Sequence, residues 1–597
     1  MSSFVPKRSI AECKAIIFAP GSPLEIEQAL VGGEIQRVFK NLHKNARELW
    51  LSYTEKYARL PFIVFESDRL TYQDVRERTF RAASVLREIY GVRKGDRVAI
   101  AMRNFPEWIV AFWAIHLLGG VPVLVNAWLP AKVLQYCISH TDSKVIVIDA
   151  ERAEVLKAQI EELKRTSGAG AVLVVRAHEG KQSAWDGMEN WDQVMKNYEG
   201  KDDTAWKKEP ACLPEDNCLI GYTSGTTGLP KGVLSTQRAF LSTMFMLAAE
   251  FAMRALRAGV SAPVVDPFTQ QKASLLSAPL FHVLACQSVV SSLARGARVV
   301  MIRKWDPEEV ARIIVTEKVN AVGGVPSIIL DILETELKSA KHNLEAFTYG
   351  GSIPPTQLTR TSRDAFPNVQ LMQGYGLTET NGAAALNGGQ DCLARPASVG
   401  TVTIAHDVII VDMMTLKVLP PGQSGEIWVR GPNVMKEYWK DPEVTSKAKT
   451  RDGWFRTGDL GSLDQEGFLY IRDRAKDIII RGGENIDSSM VENALYSDPR
   501  VMECAAVGVP DRRLGELVAA IVVPKQAWKG GKVLEAELIE AAKKSLPGFA
   551  VPVMIIVQDE PLEHNATGKI LKPPLRDLAR EEWERRGANG KPAIAKL

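Results

Sequence analysis

The amino-acid sequence predicts an α/β protein in which a large N-terminal domain of α/β layers carries a small β-rich lobe and is followed by a smaller α+β C-terminal domain. Three observations predict it. Short apolar runs at 97–102, 121–125, 144–149 and 171–175 alternate with helical periodicity at 106–118, 130–140 and 150–164, the rhythm of parallel strands joined by crossover helices. From 398 to 471 short strand patterns are split by Gly, Pro and Asp. Beyond Asp473 a separate mixed unit of roughly 120 residues begins, a size suited to one domain.

Thr71-Tyr72-Gln73-Asp74 opens the first clear helix as a capping box, and the pattern runs to Tyr90 before Gly91 stops it. Residues 177–216 are polar and without period, which reads as a surface excursion. The expected boundaries are 1–473 for the large domain, with its β-rich lobe at about 398–471, and 474–597 for the small one. The most apolar stretch, Ile109 to Val125, is broken by His116, Gly119-Gly120 and Pro122, so a transmembrane segment is not expected.

With 597 residues, 46% hydrophobic and 24% charged, the chain exceeds what one compact core holds. Lys plus Arg number 74 against 71 Asp plus Glu, and a net charge of +3 supplies no field for a nucleic-acid backbone. Seven cysteines, at 13, 137, 212, 218, 286, 392 and 504, include no CxxC pair, so neither a disulfide framework nor a zinc site is expected. The N-terminal segment lacks the apolar core of a secretory signal, so export is not expected either.

Directly after the apolar run Cys218-Leu219-Ile220 stands Tyr-Thr-Ser-Gly-Thr-Thr-Gly-Leu-Pro-Lys-Gly, residues 222–232. Gly225 and Gly228 let the backbone turn its N–H groups inward, Thr223, Ser224, Thr226 and Thr227 add hydroxyl donors, and Lys231 adds fixed positive charge. Together these are the requirements of a phosphate loop. It is not the common GxxxxGK[ST] loop. By composition alone the segment is also an ordinary polar turn.

The ordered string resembles the signature of the adenylate-forming (AMP-binding) superfamily, which includes acyl-CoA synthetases, peptide-synthetase adenylation domains and beetle luciferases. Four further segments follow in that family's order: Gln373-Gly-Tyr-Gly-Leu-Thr-Glu-Thr380, Trp454-Phe-Arg-Thr-Gly-Asp-Leu460, Asp473 to Ile486, and Asn565-Ala-Thr-Gly-Lys-Ile570. The likeness spans about 65 to 575 and points to the acyl-CoA synthetase branch.

It implies that Thr223 to Gly228, with Lys231, hold the ATP phosphates. Tyr375 would stack on adenine, with Gly351, Ser352, Gln373 and Gly374 beside it, and Asp459 and Arg474 would contact the ribose. Thr378 would contact the α-phosphate, and Glu379 with Thr226 would bind Mg²⁺, a hard ion suited to oxygen donors. Lys569 would stabilise the charge that builds when a carboxylate attacks the α-phosphorus. Because Lys231 and Lys569 lie on opposite sides of the domain boundary, both reach ATP only when a mobile small domain closes. Lys476 falls at the family's hinge position, and Gly482-Gly483 would make room for the pantetheine arm of CoA. A plain hairpin turn explains those two glycines equally.

The implied reaction joins a carboxylic acid to CoA through an acyl-adenylate, with ATP and CoA as co-substrates. No carrier-protein attachment segment follows Lys569, which disfavours a modular peptide synthetase. Gly376 stands where relatives restricted to acetate carry Trp, so the acyl pocket should admit more than two carbons. His282, in Pro279-Leu-Phe-His282, reads either as a pocket residue or as a packed core histidine. A medium- or long-chain fatty acid is the first expectation, and an aryl or secondary-metabolite acid the second. A luciferase-like monooxygenase is the alternative from another class. Ala595-Lys596-Leu597 resembles a peroxisomal address, which would make the import receptor a partner.

Overall fold

A computed structural model describes residues 4–181, 184–201, 204–223, 229–260, 266–355, 357–403, 405–474, 477–482, 484–565 and 568–588. Two large sheets organise the N-terminal part. The first has eight strands, with Arg97–Ala101, Val121–Leu124, Val145–Asp149 and Ala171–Val175 parallel at its centre. The hairpin Asn217–Tyr222 and Gly232–Thr236 lies beside Val121–Leu124. The second has thirteen strands, parallel from Pro61–Phe65 to Gln370–Leu377 and antiparallel beyond.

Alternation along the strands builds the layers, since successive side chains leave opposite faces of a sheet. Val98 and Ile100 enter the same core as Ile63 and Phe65 of the second sheet, filled by helices Ala46–Lys56, Tyr72–Glu88, Pro106–Leu117 and Val283–Ala294. Ala99 and Ala101 face the opposite way, onto Ala131–His140 and Ile160–Ser167. Val64 and Val300 likewise turn outward to Pro307–Thr316 and Pro326–Leu333. The central layer is aromatic: Trp50 stacks on Trp113 with centroids 4.8 Å apart, and Trp108 stacks on Phe112. Such pairs add about 1 kcal/mol each beyond their area burial.

The capping box at Thr71 forms as expected, with Thr71 and Asp74 bonding each other's backbone N–H. One expectation is corrected. The 177–216 stretch is no bare excursion, because Trp185 and Trp191 are buried and Glu189–Asn190 adds an edge strand to the first sheet. The β-rich lobe is continuous with the large domain, since Gly400–Val402 pairs with both Ala385-Leu386 and Phe468-Leu469, making it the far end of the thirteen-stranded sheet. A short-range pattern of turns cannot show which strands a hairpin joins.

Past Arg474 the chain forms a five-stranded sheet of its own, covered on both faces by separate apolar cores. The apolar run from Ile109 resolves into the buried 12-residue helix Pro106–Leu117 and a strand. Among the described residues one helix is long and apolar enough to cross a membrane, Gln237–Ala258. Its apolar positions pack into the interior, Phe240, Leu241 and Met244 against the central helices and Ala249 and Met253 against the N-terminal helix Ile10–Ile17.

That long helix also buries charge. Arg257 grips Asp391 through two bonds of 2.6 and 2.8 Å, whereas Glu250, two turns earlier and only 8% exposed, forms no ion pair among the described residues. Burial pushes its carboxyl up to about 8, against a smaller opposing pull from Arg254. A carboxyl raised in the fold leaves stability intact below its unfolded value and erodes it as pH climbs toward the folded one. Glu250→Gln should therefore stabilise the protein by a few kcal/mol at pH 8 and much less at pH 5. Thermal unfolding at the two pH values checks this, and an equal gain at both would show that Glu250 is ionised in the fold.

Candidate active site

The loop between Asn217–Tyr222 and Gly232–Thr236 leaves the first sheet at the carboxyl end of its parallel strands, where open α/β sheets bind ligands. Thr223 N–H donates to the Lys231 carbonyl at 3.0 Å, closing the loop's mouth. Ser224, Gly225, Thr226, Thr227 and Gly228 lie outside the described residues, as do Lys476, Gly483 and Ala595-Lys596-Leu597. Gln237, just beyond the hairpin, is buried. Its amide accepts from Ala46 N–H at 2.9 Å and donates to the Asn217 carbonyl at 3.2 Å, fastening the hairpin to the core.

In the second sheet, Gly350 pairs with Gly374 so closely that a Cβ on Gly350 would sit 2.5 Å from the Gly374 carbonyl oxygen. Gly351 follows at φ +84°, a conformation that favours glycine, with Ser352 half-buried beside it. Gln373 is buried with a side-chain oxygen that has no partner among the described residues. Thr378 and Glu379 start the turn Thr378–Thr380 at the end of the same strand, and Thr378 Cγ2 comes within 3.3 Å of where a Cβ on Gly221 would be. The signatures of the two sheets thus meet.

Tyr438, which sequence reasoning missed, joins them further. Its hydroxyl donates to Glu379 Oε1 at 2.8 Å, and its ring lies 5.2 Å from Lys231 Nζ. Burial pushes the Glu379 carboxyl up, and the Tyr438 bond pulls it partly back. Nothing in the local sequence marks this tyrosine, because it reaches the site through the pairing of Glu437–Tyr438 with Val233-Leu234. No group of three or more His, Cys, Asp or Glu side chains is gathered among the described residues. One hard carboxylate, with phosphate oxygens and water completing the shell, suits magnesium.

Tyr375, Asp459 and Arg474 form one cluster. The Tyr375 hydroxyl donates to Asp459 Oδ2 at 2.8 Å, and Arg474 Nε lies 3.1 Å from Oδ1. Register explains the second pair, since Asp459 and Arg474 are directly opposite on neighbouring strands. Lys569 stands in the fields of Arg474, Asp459 and Asp477. Burial, and then the Arg474 charge, bring its ammonium down to about 8 against the pull of the two carboxylates. The Lys569 turn is seated on the large domain, where a Cβ on Gly568 would lie 2.9 Å from Val325 Cγ2. Val325 also neighbours Gly351. The small domain is further tied by Gln357 Nε2 donating to the Tyr496 carbonyl at 3.3 Å.

Gly482 sits at φ +61° between the paired strands Ile479–Arg481 and Glu484–Ile486, which fits the hairpin-turn reading. His282 caps helix Val283–Ala294, and its desolvated imidazole is pushed down to about 4. A narrow apolar recess is lined by Leu124, Leu219, Phe240, Phe281, Val283 and Cys286, with Gly221, Thr378 and Asn381. Neither His282 nor Gly376 is among its lining residues. At Gly376 a Cβ would overlap the Gly382 carbonyl on the neighbouring strand, so strand approach also favours glycine at this position. The open space belongs to residues from five separate segments, a grouping no single motif displays.

Two domains of unequal size, with Tyr375, Asp459, Arg474 and Lys569 gathered where they meet, match the fold expected of adenylate-forming enzymes. The AMP-binding enzyme model matches residues 52–439, and the AMP-binding enzyme C-terminal domain matches 490–569. A long-chain-fatty-acid–CoA ligase of Mycobacterium tuberculosis is 34% identical over 517 residues, covering 85% of this chain and 93% of that one. A feruloyl-CoA synthase of an Amycolatopsis species is 33% identical over 513 residues, with the same coverage. Among solved structures, an O-succinylbenzoate coenzyme A synthetase from Bacillus subtilis, in complex with ATP and magnesium ion, superposes with a TM-score of 0.73 at 26% identity, covering 90% of this chain and 100% of that one. With both of its domains matched, this chain belongs to the AMP-binding enzyme family.

The Tyr375 to Asp459 bond can be isolated in a double-mutant cycle. Tyr375→Phe and Asp459→Asn should each destabilise the protein, with a coupling energy of about 1.5–3 kcal/mol, the range for a hydrogen bond to a charged group. Denaturant unfolding of the four proteins measures it, and additive effects would show that the two groups do not interact.

Proposed function

We infer that the chain is an ATP-dependent acyl-CoA ligase, converting a carboxylic acid, ATP and CoA to acyl-CoA, AMP and diphosphate through an acyl-adenylate. The observation that carries this reading is the convergence of Lys231, Glu379, Tyr375, Asp459 and Lys569, drawn from both domains, on one place. In our assignment Asp459 and Arg474 hold the ribose, and Tyr375 with Gly351, Ser352, Gln373 and Gly374 takes the adenine side. Thr378 meets the α-phosphate next to the apolar recess. Glu379, oriented by Tyr438, with Thr226, would hold Mg²⁺, which supplies charge neutralisation of the ATP phosphates when bound. The phosphate loop and Lys231 take the remaining phosphate charge.

Lys569 is the group we assign to the adenylation transition state. Attack on the α-phosphorus adds negative charge to its oxygens, and a desolvated ammonium held by a packed turn stabilises that charge without reorganising. We place the domain boundary at 473/474, with Lys476 as hinge and Gly482-Gly483 as the CoA side. The recess supports a neutral acyl group: apart from the Cys286 thiol no ionisable side chain lines it, so a second carboxylate would be buried without a counter-charge. A medium- or long-chain fatty acid is the preferred substrate class, and the same walls take an aromatic acid.

A pyrophosphate-release screen over carboxylic acids, followed by detection of the CoA thioester, tests the reading. Light or CO₂ in place of thioester would favour the monooxygenase. Lys569→Ala should slow adenylation by about 10²-fold or more while sparing thioester formation from supplied acyl-adenylate. In the wild type, adenylation should be fully supported below pH 8 and fall above it as Lys569 loses its proton. Lys569→Arg should lack that alkaline fall, and an unchanged profile in that variant would assign the inflection elsewhere. We also propose, on sequence alone, that Ala595-Lys596-Leu597 is read by the peroxisomal import receptor. A fluorescent fusion lacking the three residues should remain cytosolic, and peroxisomal retention would rule the tripeptide out.

A further inference from the structure

The strand Phe468–Arg474, the last of the large domain in chain order, ends on two side chains that leave it in opposite directions, as strand alternation requires. Arg474 reaches Asp459 in the nucleotide cluster. Asp473 turns the other way and is buried against the small domain. Its Oδ1 accepts from the Arg474 N–H at 2.8 Å, and its Oδ2 accepts from both the N–H and the hydroxyl of Ser488 at 2.6 Å. Ser488 opens the small-domain helix Ser488–Tyr496, whose own N-cap residue, Asp487, makes no side-chain capping bond. The first N–H groups of a helix have no partner within it, and its N-terminus favours negative charge. A carboxylate of one domain therefore caps a helix of the other.

The grip continues into a second element. The Ser488 hydroxyl, which gives its proton to Asp473, accepts from Lys572 Nζ, and the same ammonium lies 2.8 Å from Glu492 Oε1. Against burial, the Glu492 and Asp473 carboxylates hold that ammonium above the usual lysine value. Glu492 is fixed in turn by the Ala506 N–H at 3.0 Å, and the Ser489 hydroxyl donates to the Arg472 carbonyl. Lys572 starts the helix Lys572–Ala588 just after Lys569. The Lys569 turn is itself tight, with Lys569 N–H on Asn565 Oδ1 at 3.0 Å and Asn565 N–H on the Lys569 carbonyl at 2.8 Å. Neighbouring residues of one strand thus work together: Arg474 faces the Lys569 charge, and Asp473 holds the frame that carries it.

A buried carboxylate stripped of its partners is costly, and hydrogen bonds to it are among the stronger ones. Both bonds to Asp473 Oδ2 come from the small domain, so turning that domain about Lys476 breaks them together. We propose, on the ligase reading above, that Asp473 is a positioning residue for adenylation. With Ser488 and Lys572 it holds the small domain where Lys569 reaches the nucleotide, and the grip is released for the thioester step. Weakening it shifts the population away from the orientation that adenylates and toward the one that does not. The two half-reactions should therefore respond differently to the same substitution.

Single-turnover kinetics of the full chain tests this, with pyrophosphate release and acyl-CoA formation followed separately for an acid chosen by the screen. Asp473→Ala should slow pyrophosphate release about 10-fold, the scale of a lost bond to a charged group, and leave thioester formation from supplied acyl-adenylate as fast as in the wild type or faster. Asp473→Asn, which keeps an acceptor without the charge, should fall between. If Asp473→Ala does not fold, Ser488→Ala leaves the helix N–H on Asp473 while cutting the link to Lys572, and it should show the same split. Equal losses in both steps would mark Asp473 as merely structural and overturn the proposal, as would unchanged adenylation in a folded variant. The distance between dyes on one introduced cysteine per domain reads the orientation without chemistry, and labelling is selective because the seven native cysteines are buried. If the wild type adenylates no acid, the ligase reading fails and the dye distance decides alone. A distance shifted by Asp473→Ala sustains the grip, and an unshifted one refutes it.

Discussion

The Asp459 carboxylate is the point on which the site turns. It is 4% exposed, and each of its oxygens has a partner, Oδ2 the Tyr375 hydroxyl and Oδ1 the Arg474 guanidinium. Tyr375 ends the parallel part of the second sheet, Asp459 and Arg474 belong to its antiparallel end, and Lys569 of the small domain lies in the field of both charges. A buried charge is tolerated only when paired, and removing one partner is far costlier than the pair is stabilising. The carboxylate therefore lies where three regions of the chain meet and pairs with groups from two of them.

A second tie works on the phosphate side. Tyr438 touches Glu379 with its hydroxyl and Lys231 with its ring, so an acid from the second sheet and a base from the first are held in register by one aromatic side chain. The two ties are built alike: a tyrosine hydroxyl fixes a buried carboxylate. Both orient charge before any ligand arrives, which is the condition for electrostatic stabilisation to cost little at the moment of reaction.

The acyl side contrasts with this. Its recess is defined by shape and apolar contact, with walls from a strand of the first sheet, the phosphate-loop strand and two helices of the central layer. The helix that contributes Phe240 continues outward to Glu250, Arg254 and Arg257. One long apolar helix thus joins the apolar recess, the central aromatic core and the Arg257–Asp391 ion pair, and its packing constrains all three.

Much of this was legible in the residues. The alternation of apolar runs with helical segments determined the parallel layers, because the periodicity of side-chain burial is a local property. The same holds for the Thr71 capping box and the turn at Gly482. What only the tertiary structure decided is everything set by pairing over long sequence separations. It joined the β-rich lobe to the main sheet, brought Tyr438 to Glu379, left Gly376 no room for a side chain, and assembled the acyl recess from scattered apolar residues. Each depends on which strand lies beside which, and a sequence pattern of period 2 or 3.6 records the face of an element but not its neighbour.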